Sequence, residues 1–369
     1  MILKNYSWND IINSGKKIIF FGSGQVLARN LNLHDDWYLY TEYIVDNNSE
    51  KWGTLYEYEG VSKKIKSPVI LENIDTSKYI IVISVGMVVI HEIYEQLQSI
   101  EGLRNVECCV LKFVKVRDDE IKEQLRKYPP SFRISDEAKI PKCIHYCWFG
   151  KSQIPEKNKK WMESWHKYCP DYEIIEWNEQ NYDVSKNKYM YKAYKEKKWG
   201  FVPDYARLDI IYNHGGIYLD TDVELIKPLD ELLYQEAFAG VDDTNLVSLG
   251  LGFGAVKGNN VIKDMLDLYK DADFDVNNMI AAPTFNYPFF EKMGFELTGE
   301  LQYIKEMTIY PEKVLSGYNN TVGAARPTNM TFALHHYDGS WNDSERVSKM
   351  KLVHDLYRSM LGKNSDRLY

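Results

Sequence analysis

Long apolar runs, C-x-x-C pairs and an excess of basic residues are all missing from this sequence of 369 residues. The longest apolar run, Tyr79 to Ile90, is well short of the roughly 20 residues that a membrane-spanning helix needs. Lys4 and Asp10 stand where a signal peptide has an unbroken apolar core, which predicts a cytoplasmic protein. The net charge of −8 offers no general attraction to nucleic acid, so no nucleic-acid partner is expected.

The five cysteines form no C-x-x-C pair, which argues against a zinc site of the usual spacing. Cys143, His145 and Cys147 alternate along an apolar run, but no second pair of ligands follows. Reduced cysteines on a buried strand are therefore the favoured interpretation.

The length predicts two domains, at roughly 100–200 residues each. Residues 1–116 alternate apolar runs with helical patterns, which predicts a smaller Rossmann-like parallel α/β domain. The turn Gly22-Ser23-Gly24 resembles a dinucleotide-binding fingerprint, but Leu27 replaces the third glycine. No acid, base or nucleophile lies beside the turn, so a structural or partner-docking role is favoured over catalysis.

A charged stretch at residues 117–139 contains Pro129-Pro130 and is predicted to be the linker. The second domain is predicted to span residues 140–341. Residues 342–369 are predicted to form a C-terminal amphipathic helix, in which basic residues outnumber acidic ones. Packing on the second domain is the favoured role of this helix, and peripheral contact with the inner face of the cell membrane is the alternative.

The strongest chemical signal is Asp220-Thr221-Asp222, which follows an apolar strand. In an extended backbone two such carboxylates point to the same face, where their repulsion calls for a cation. Oxygen ligands of this kind suit Mg²⁺ or Mn²⁺. A solvated turn is the alternative, because D-x-D is a common tripeptide.

The helix that begins at Pro203 leads through Gly215-Gly216 into this strand. Asp204 and Arg207 share one helix face, as a surface ion pair or as a binding pair for sugar hydroxyls and diphosphate; the two interpretations have equal weight. At the far end of the chain, His336 could complete a metal site.

Four ordered segments resemble glycosyltransferase family 32, namely IPKCIHYCWFG, SWHKYCPDYEIIEWNE, FVPDYARLDIIYNHGGIYLDTDVE and HHYDGSW. The resemblance implies a GT-A nucleotide-sugar transferase domain within the α/β class. It also implies dependence on Mn²⁺ or Mg²⁺ and retention of the anomeric configuration. The bacterial enzymes that it suggests serve capsular polysaccharide or lipopolysaccharide biosynthesis.

The same resemblance implies a role for each matching residue. Donor binding is expected of Trp148, Asp204, Arg207, Asp220, Asp222, Ser340 and Trp341. Catalysis is expected of Asp204, Arg207 and Asp222, and metal binding of Asp220, Asp222 and His336.

The predicted function is transfer of a hexose from a nucleotide sugar, with a UDP-sugar favoured. The expected acceptor is a growing cell-surface polysaccharide or a lipid-linked oligosaccharide. Two alternatives stay open: a sugar-nucleotide-binding scaffold without turnover, and a D-x-D phosphatase. The phosphatase is disfavoured because Glu224 stands where its motif requires Thr or Val.

Overall fold

The computed structural model describes residues 1–31, 36–129, 131–339 and 344–362, which form two compact units. The first unit contains residues 1–127, the short segment 321–323 and the C-terminal helix Ser344–Leu361. The second unit contains the described residues from 128 to 320 and from 324 to 339. Among the described residues, no helix combines the length and apolar character that crossing a membrane requires.

The first unit alternates strands with short helices. Its strands are β1 (Ile2–Leu3), β2 (Lys17–Phe21), β3 (Thr41–Val45), β4 (Leu55–Tyr58), β5 (Val61–Lys66), β6 (Tyr79–Ile83) and β7 (Glu107–Val110). Its α-helices are α1 (Trp8–Asn13), α2 (Gln25–Leu31), α3 (Trp37–Tyr40), α4 (Met87–Ser99), α5 (Leu111–Leu125) and the C-terminal helix. Its 3-10 helices are Ser49–Lys51, Pro68–Asn73 and Glu101–Leu103.

These strands form one sheet in the order β1-β7-β6-β2-β3-β5-β4, in which only β4 is antiparallel to its neighbour. Gly22 ends β2 with φ +109°, and a Cβ there would lie only 2.6 Å from Val85 Cγ1. Asp46 accepts hydrogen bonds from Ser23 N at 2.9 Å and Ser23 Oγ at 2.5 Å. Close packing and this local hydrogen bonding therefore account for the glycine turn without a bound phosphate.

Two segments differ from the sequence prediction. Helix α5 runs through the first part of the predicted linker and belongs to the first unit. The C-terminal helix also belongs to the first unit, where Tyr357 packs on Phe113 with ring centroids 4.8 Å apart. Lys349 forms an ion pair with Glu92 of α4 at 3.0 Å. The favoured expectation that this helix packs on the second domain is wrong, because its buried face has partners in the first unit.

The second unit contains the remaining strands and helices. Its strands are β8 (Cys143–Cys147), β9 (Glu173–Trp177), β10 (Gly216–Tyr218), β11 (Val223–Leu225), β12 (Ala237–Gly240), β13 (Phe253–Ala255), β14 (Gln302–Ile304), β15 (Met307–Tyr310), β16 (Tyr318–Asn319), β17 (Ala324–Ala325) and β18 (Ala333–His335). Its α-helices are α6 (Glu156–Tyr168), α7 (Lys188–Lys195), α8 (Pro203–His214), α9 (Asn260–Leu268), α10 (Ala282–Lys292) and α11 (Glu312–Leu315). Its 3-10 helices are Val184–Lys186, Asp230–Leu233 and Leu249–Leu251.

A seven-stranded sheet in the order β14-β15-β12-β13-β10-β8-β9 organises this unit. Strands β9, β8, β10, β12 and β15 all run in one direction, so their carboxyl ends meet at a single edge. Alternate residues of the strands face two separate apolar clusters, as Ile217 and Tyr218 of β10 do. Each unit combines α-helices with a sheet that contains parallel strands, which confirms the predicted α/β class. The five cysteines are free thiols, and Cys147 is buried on β8.

Candidate functional site

Helix α8 leads into strand β10, which ends just before the D-T-D segment at the carboxyl edge of the sheet. Pro203 occupies the first turn, where its missing N–H costs no hydrogen bond, and Gly215 and Gly216 follow the helix with φ of +71° and +102°. The chain then enters β10, which lies between β8 and β13. This local path is the one that the sequence predicted.

The two aspartates lie in a turn between β10 and β11 rather than in an extended strand. Val223 N donates to Asp220 O at 3.1 Å across this turn. The expectation that simple strand alternation brings the carboxylates together is therefore corrected. The turn brings them together because it reverses the chain directly after β10.

Asp220, Asp222 and His335 form a cluster in which one potential ligand atom from each lies within 4.8 Å of the others. His335 ends β18, which pairs antiparallel with β11, so that His335 is opposite Val223. Its Nε2 atom lies 3.2 Å from Asp222 Oδ1. Two backbone bonds tighten the junction: His336 N donates to Asp222 O at 2.9 Å, and Asp338 N donates to Asp222 Oδ2 at 2.8 Å.

The sequence analysis expected His336 as the metal ligand, whereas the structure places the adjacent His335 in the cluster with Asp220 and Asp222. His336 lies 2.9 Å from Glu224 Oε2 through Nε2, and its ring stacks on Trp161 with centroids 4.2 Å apart. Neighbouring residues at the end of a strand point to opposite sides. Only the pairing of β18 with β11 decides which of the two faces Asp222, and that pairing leaves no signal in the local sequence.

Arg207 links the helix to the D-T-D turn. Its guanidinium lies 3.1 Å from Asp204 Oδ1 and 3.7 Å from Asp220 Oδ1. Tyr218 Oη donates to Asp220 Oδ1 at 3.0 Å, and Tyr189 Oη donates to Asp204 Oδ2 at 3.2 Å. The predicted pair of Asp204 and Arg207 is thus buried beside Asp220, and it is not a surface ion pair.

Burial and charge set the protonation of these groups in opposite ways. Burial raises the pKa of Asp204 to about 6, although the charge of Arg207 opposes this. Burial likewise raises the pKa of Asp220 against the charge of Arg207. Burial also tends to raise the pKa of Asp222, but the charge and hydrogen bond of His335 outweigh this effect and lower the pKa to about 2. Burial disfavours protonation of His335, but Asp222 overcomes it and raises the pKa.

Three neighbours of the cluster were not predicted from sequence as site residues. Tyr218 hydrogen-bonds Asp220, and its ring centroid lies 5.2 Å from the Cζ atom of Arg207. A Cβ at Gly250 would overlap Asp220 Oδ2 and lie 3.3 Å from an Arg207 nitrogen. Asn158 of α6 is 3% exposed, and its amide nitrogen lies 3.4 Å from Thr221 Oγ1. Only the Tyr218-to-Asp220 spacing could have been noticed from sequence, because the other contacts are long-range.

Trp148 directly follows β8, the strand adjacent to β10, and is half-buried. Its indole nitrogen donates to Ser152 O at 2.7 Å. The remaining predicted site residues, Ser340 and Trp341, lie outside the described residues.

The Asp220, Asp222 and His335 cluster has the composition of a divalent-metal site. Carboxylate oxygens suit Mg²⁺ and Mn²⁺, and the imidazole nitrogen favours Mn²⁺ of the two. His335 is buried and the two aspartates are partly buried, so their concentrated negative charge is costly without compensation, which Arg207 and a protonated His335 would provide within the protein. A cation would replace the His335 proton in this role.

Comparison with known proteins identifies the same region. Residues 155–239 match the family described as "Glycosyltransferase sugar-binding region containing DXD motif". This segment contains Asp204, Arg207, Asp220 and Asp222. The predicted resemblance to DXD-containing glycosyltransferases is therefore confirmed for this part of the chain.

Two curated relatives and one solved structure resemble the chain over part of its length. Inositol phosphoceramide mannosyltransferase 3 of Schizosaccharomyces pombe is 30% identical over 133 residues, covering 35% of this chain and 37% of that protein. Uncharacterized glycosyltransferase L373 of Acanthamoeba polyphaga mimivirus is 30% identical over 139 residues, covering 35% of this chain and 48% of that protein. The chain thus spans less than half the length of either relative. The structure titled PaToxG Glycosyltransferase has a TM-score of 0.37 and 19% identity, covering 50% of this chain and 80% of that one.

Proposed function

We propose that this chain is a metal-dependent glycosyltransferase that transfers a hexose from a nucleotide sugar. The proposal rests on one observation above all: a two-carboxylate, one-histidine cluster shares Asp220 with a buried arginine. A diphosphate needs positive charge on more than one side, and this arrangement offers an arginine beside a cation-binding cluster. The family match across the same residues and the relatives' names support the same activity.

In the proposed reaction, the residues of the site have separate roles. Asp220, Asp222 and His335 would hold Mn²⁺ or Mg²⁺, and the bound ion would supply Lewis-acid stabilisation of the departing diphosphate. Arg207 adds fixed positive charge beside Asp220, 3.7 Å from its Oδ1. Asp204 and Tyr218 hold Arg207 and Asp220 in place through the contacts described above. Preorganisation of this kind lowers the barrier because no charged group has to reorient during the reaction.

The finer parts of the proposal follow from the family resemblance. They are a GT-A arrangement for the second unit, retention of the anomeric configuration, stacking of the nucleobase on Trp148, and a glycan or lipid-linked acceptor. A UDP-sugar is the favoured donor. GDP-mannose joins the test because one relative is named a mannosyltransferase.

The test is a panel of UDP- and GDP-sugars, incubated with the full chain and Mn²⁺, Mg²⁺ or EDTA. We expect slow, metal-dependent hydrolysis of one donor in the absence of acceptor, lost on EDTA treatment. Asp222→Asn should reduce this turnover by about 100-fold, because the substitution removes a charged ligand. Asp75→Asn is the control, because Asp75 lies in the first unit, where its side chain accepts hydrogen bonds from Ser77.

Each outcome separates the alternatives. Donor binding without turnover would favour the scaffold, and release of phosphate from monoesters would favour the phosphatase. Full activity of Asp222→Asn, or no binding and no turnover with any donor, would refute the proposal.

A further inference from the structure

A second carboxylate lies at the same sheet edge as the D-T-D turn, two strands away. Ala255 of β13 pairs with Gly216 of β10 on one side and with Ala237 of β12 on the other. Asp242 lies two residues after the end of β12, as Asp220 lies two residues after the end of β10. Two strands with a third strand between them, such as β10 and β12, are about 9–10 Å apart, which is wide enough for one sugar ring.

The Asp242 side chain is held firmly by its own turn through only one of its oxygens. Oδ1 accepts from Thr244 N at 2.8 Å, Thr244 Oγ1 at 2.6 Å and Leu246 N at 3.3 Å. The residue is 9% exposed. Within the described ranges Oδ2 has no hydrogen-bond partner. Three donors thus fix the orientation of a carboxylate whose second oxygen is free to accept.

Backbone hydrogen bonds connect the D-T-D turn and the end of β12 to the same segment, residues 248–250. Asp220 N donates to Gly250 O at 3.2 Å, and Ser248 N donates at 2.9 Å to the carbonyl of Gly240, two residues before Asp242. None of the roles in the proposed transfer reaction uses this carboxylate.

Asp204, the residue expected from sequence to accept from sugar hydroxyls, is already engaged. Its two oxygens accept from Arg207 and from Tyr189, and the residue is 4% exposed. A positioning role toward Arg207 accounts for both contacts. The hydroxyl groups of a bound sugar therefore need another acceptor at this edge.

We propose that Asp242 binds a hydroxyl group of the transferred sugar through Oδ2 and so contributes to donor specificity. The inference rests on the proposed function. With the nucleobase on the β8 side and the diphosphate at the D-T-D turn, the sugar would extend toward β12. A carboxylate held in one orientation discriminates between sugars because only a hydroxyl at the right position can donate to it.

The test compares affinity for a nucleotide sugar with affinity for the matching free diphosphate, UDP or GDP. Calorimetric titrations with Mn²⁺ use the donor chosen by the hydrolysis panel. Asp242→Asn retains Oδ1 for its turn but replaces the free oxygen with an amide that cannot accept. We expect its Kd for the nucleotide sugar to rise about 10- to 100-fold, the effect of losing one hydrogen bond to a charged group. Its Kd for the free diphosphate should stay within about twofold of wild type.

Two control variants distinguish a loss of sugar binding from a loss of stability. Thr244→Val removes one turn donor but leaves Oδ2, so it should lower the melting temperature and preserve sugar affinity. Asp75→Asn should change neither affinity. Equal Kd values for wild type and Asp242→Asn with the nucleotide sugar would overturn the inference, as would equal weakening of sugar and diphosphate. Wild-type protein that binds neither ligand would instead refute the proposed function on which the inference rests.

Discussion

Substitution of Gly250 by alanine tests the geometry around Asp220. Gly250 has an ordinary backbone conformation, so alanine introduces a steric effect without backbone strain. The new methyl group would overlap Asp220 Oδ2, and the carboxylate would have to rotate. Rotation breaks the 3.0 Å bond from Tyr218 Oη and moves Asp220 away from Arg207.

The expected cost has two parts. Overpacking of a buried site costs about 1–3 kcal/mol, and a lost hydrogen bond to a charged group costs about 1.5–3 kcal/mol. Partial relaxation makes the two overlap, so we expect a total loss of about 2–4 kcal/mol in the free energy of unfolding of the second unit. Metal-dependent hydrolysis should fall by about 100-fold, because a displaced ligand no longer stabilises the developing charge.

Urea denaturation and the donor-hydrolysis assay measure the two effects. Gly24→Ala is the control, because the Cβ position at Gly24 has open space around it. We expect this control to match the wild type in both assays. Wild-type stability and turnover in Gly250→Ala would refute the described packing of Asp220 against the Leu249–Leu251 turn.

Three further expectations follow from the structure. His335→Ala should abolish metal-dependent turnover, whereas His336→Ala should lower stability by about 1 kcal/mol with less than about tenfold loss of activity; the reverse ranking would restore His336 as the ligand. Burial raises the pKa of Asp118 to about 6, so the folded protein holds this proton more tightly than the unfolded chain, and stability falls as pH rises from about 4 to 6. Asp118→Asn should therefore gain stability relative to wild type between pH 4 and pH 7 in urea titrations, and a constant difference would contradict this. Leu352 is 44% exposed on the C-terminal helix, so Leu352→Asp should reduce sedimentation with anionic vesicles if this helix contacts membranes; equal sedimentation would exclude Leu352 from such contact.

Interactions between neighbours in the chain were predictable from sequence. Pro203 and the Gly215-Gly216 pair mark the ends of helix α8 because proline and glycine act on their own backbone. The three-residue spacing of Asp204 and Arg207 placed them on one helix face, and the structure adds that this face is buried. The alternation of apolar runs and helices indicated the α/β class for the same local reason.

Errors of prediction occurred where a distant segment decides the outcome. The charged composition of residues 117–139 suggested a linker, but helix α5 buries Phe113 and Val116 within the first unit. The C-terminal helix could be recognised from its spacing, yet its spacing could not say which unit covers its apolar face.

The sequence by itself identified the D-T-D segment, the helix that leads into it and the kind of cation that it suits, because these depend on residue type and short spacing. The tertiary structure decided that His335 faces Asp222, that Gly250 must lack a side chain, and that Asp242 reaches the same edge. Each of these depends on the register between strands that are far apart in the chain. A shift of one residue in that register would turn every side chain to the other face of the sheet.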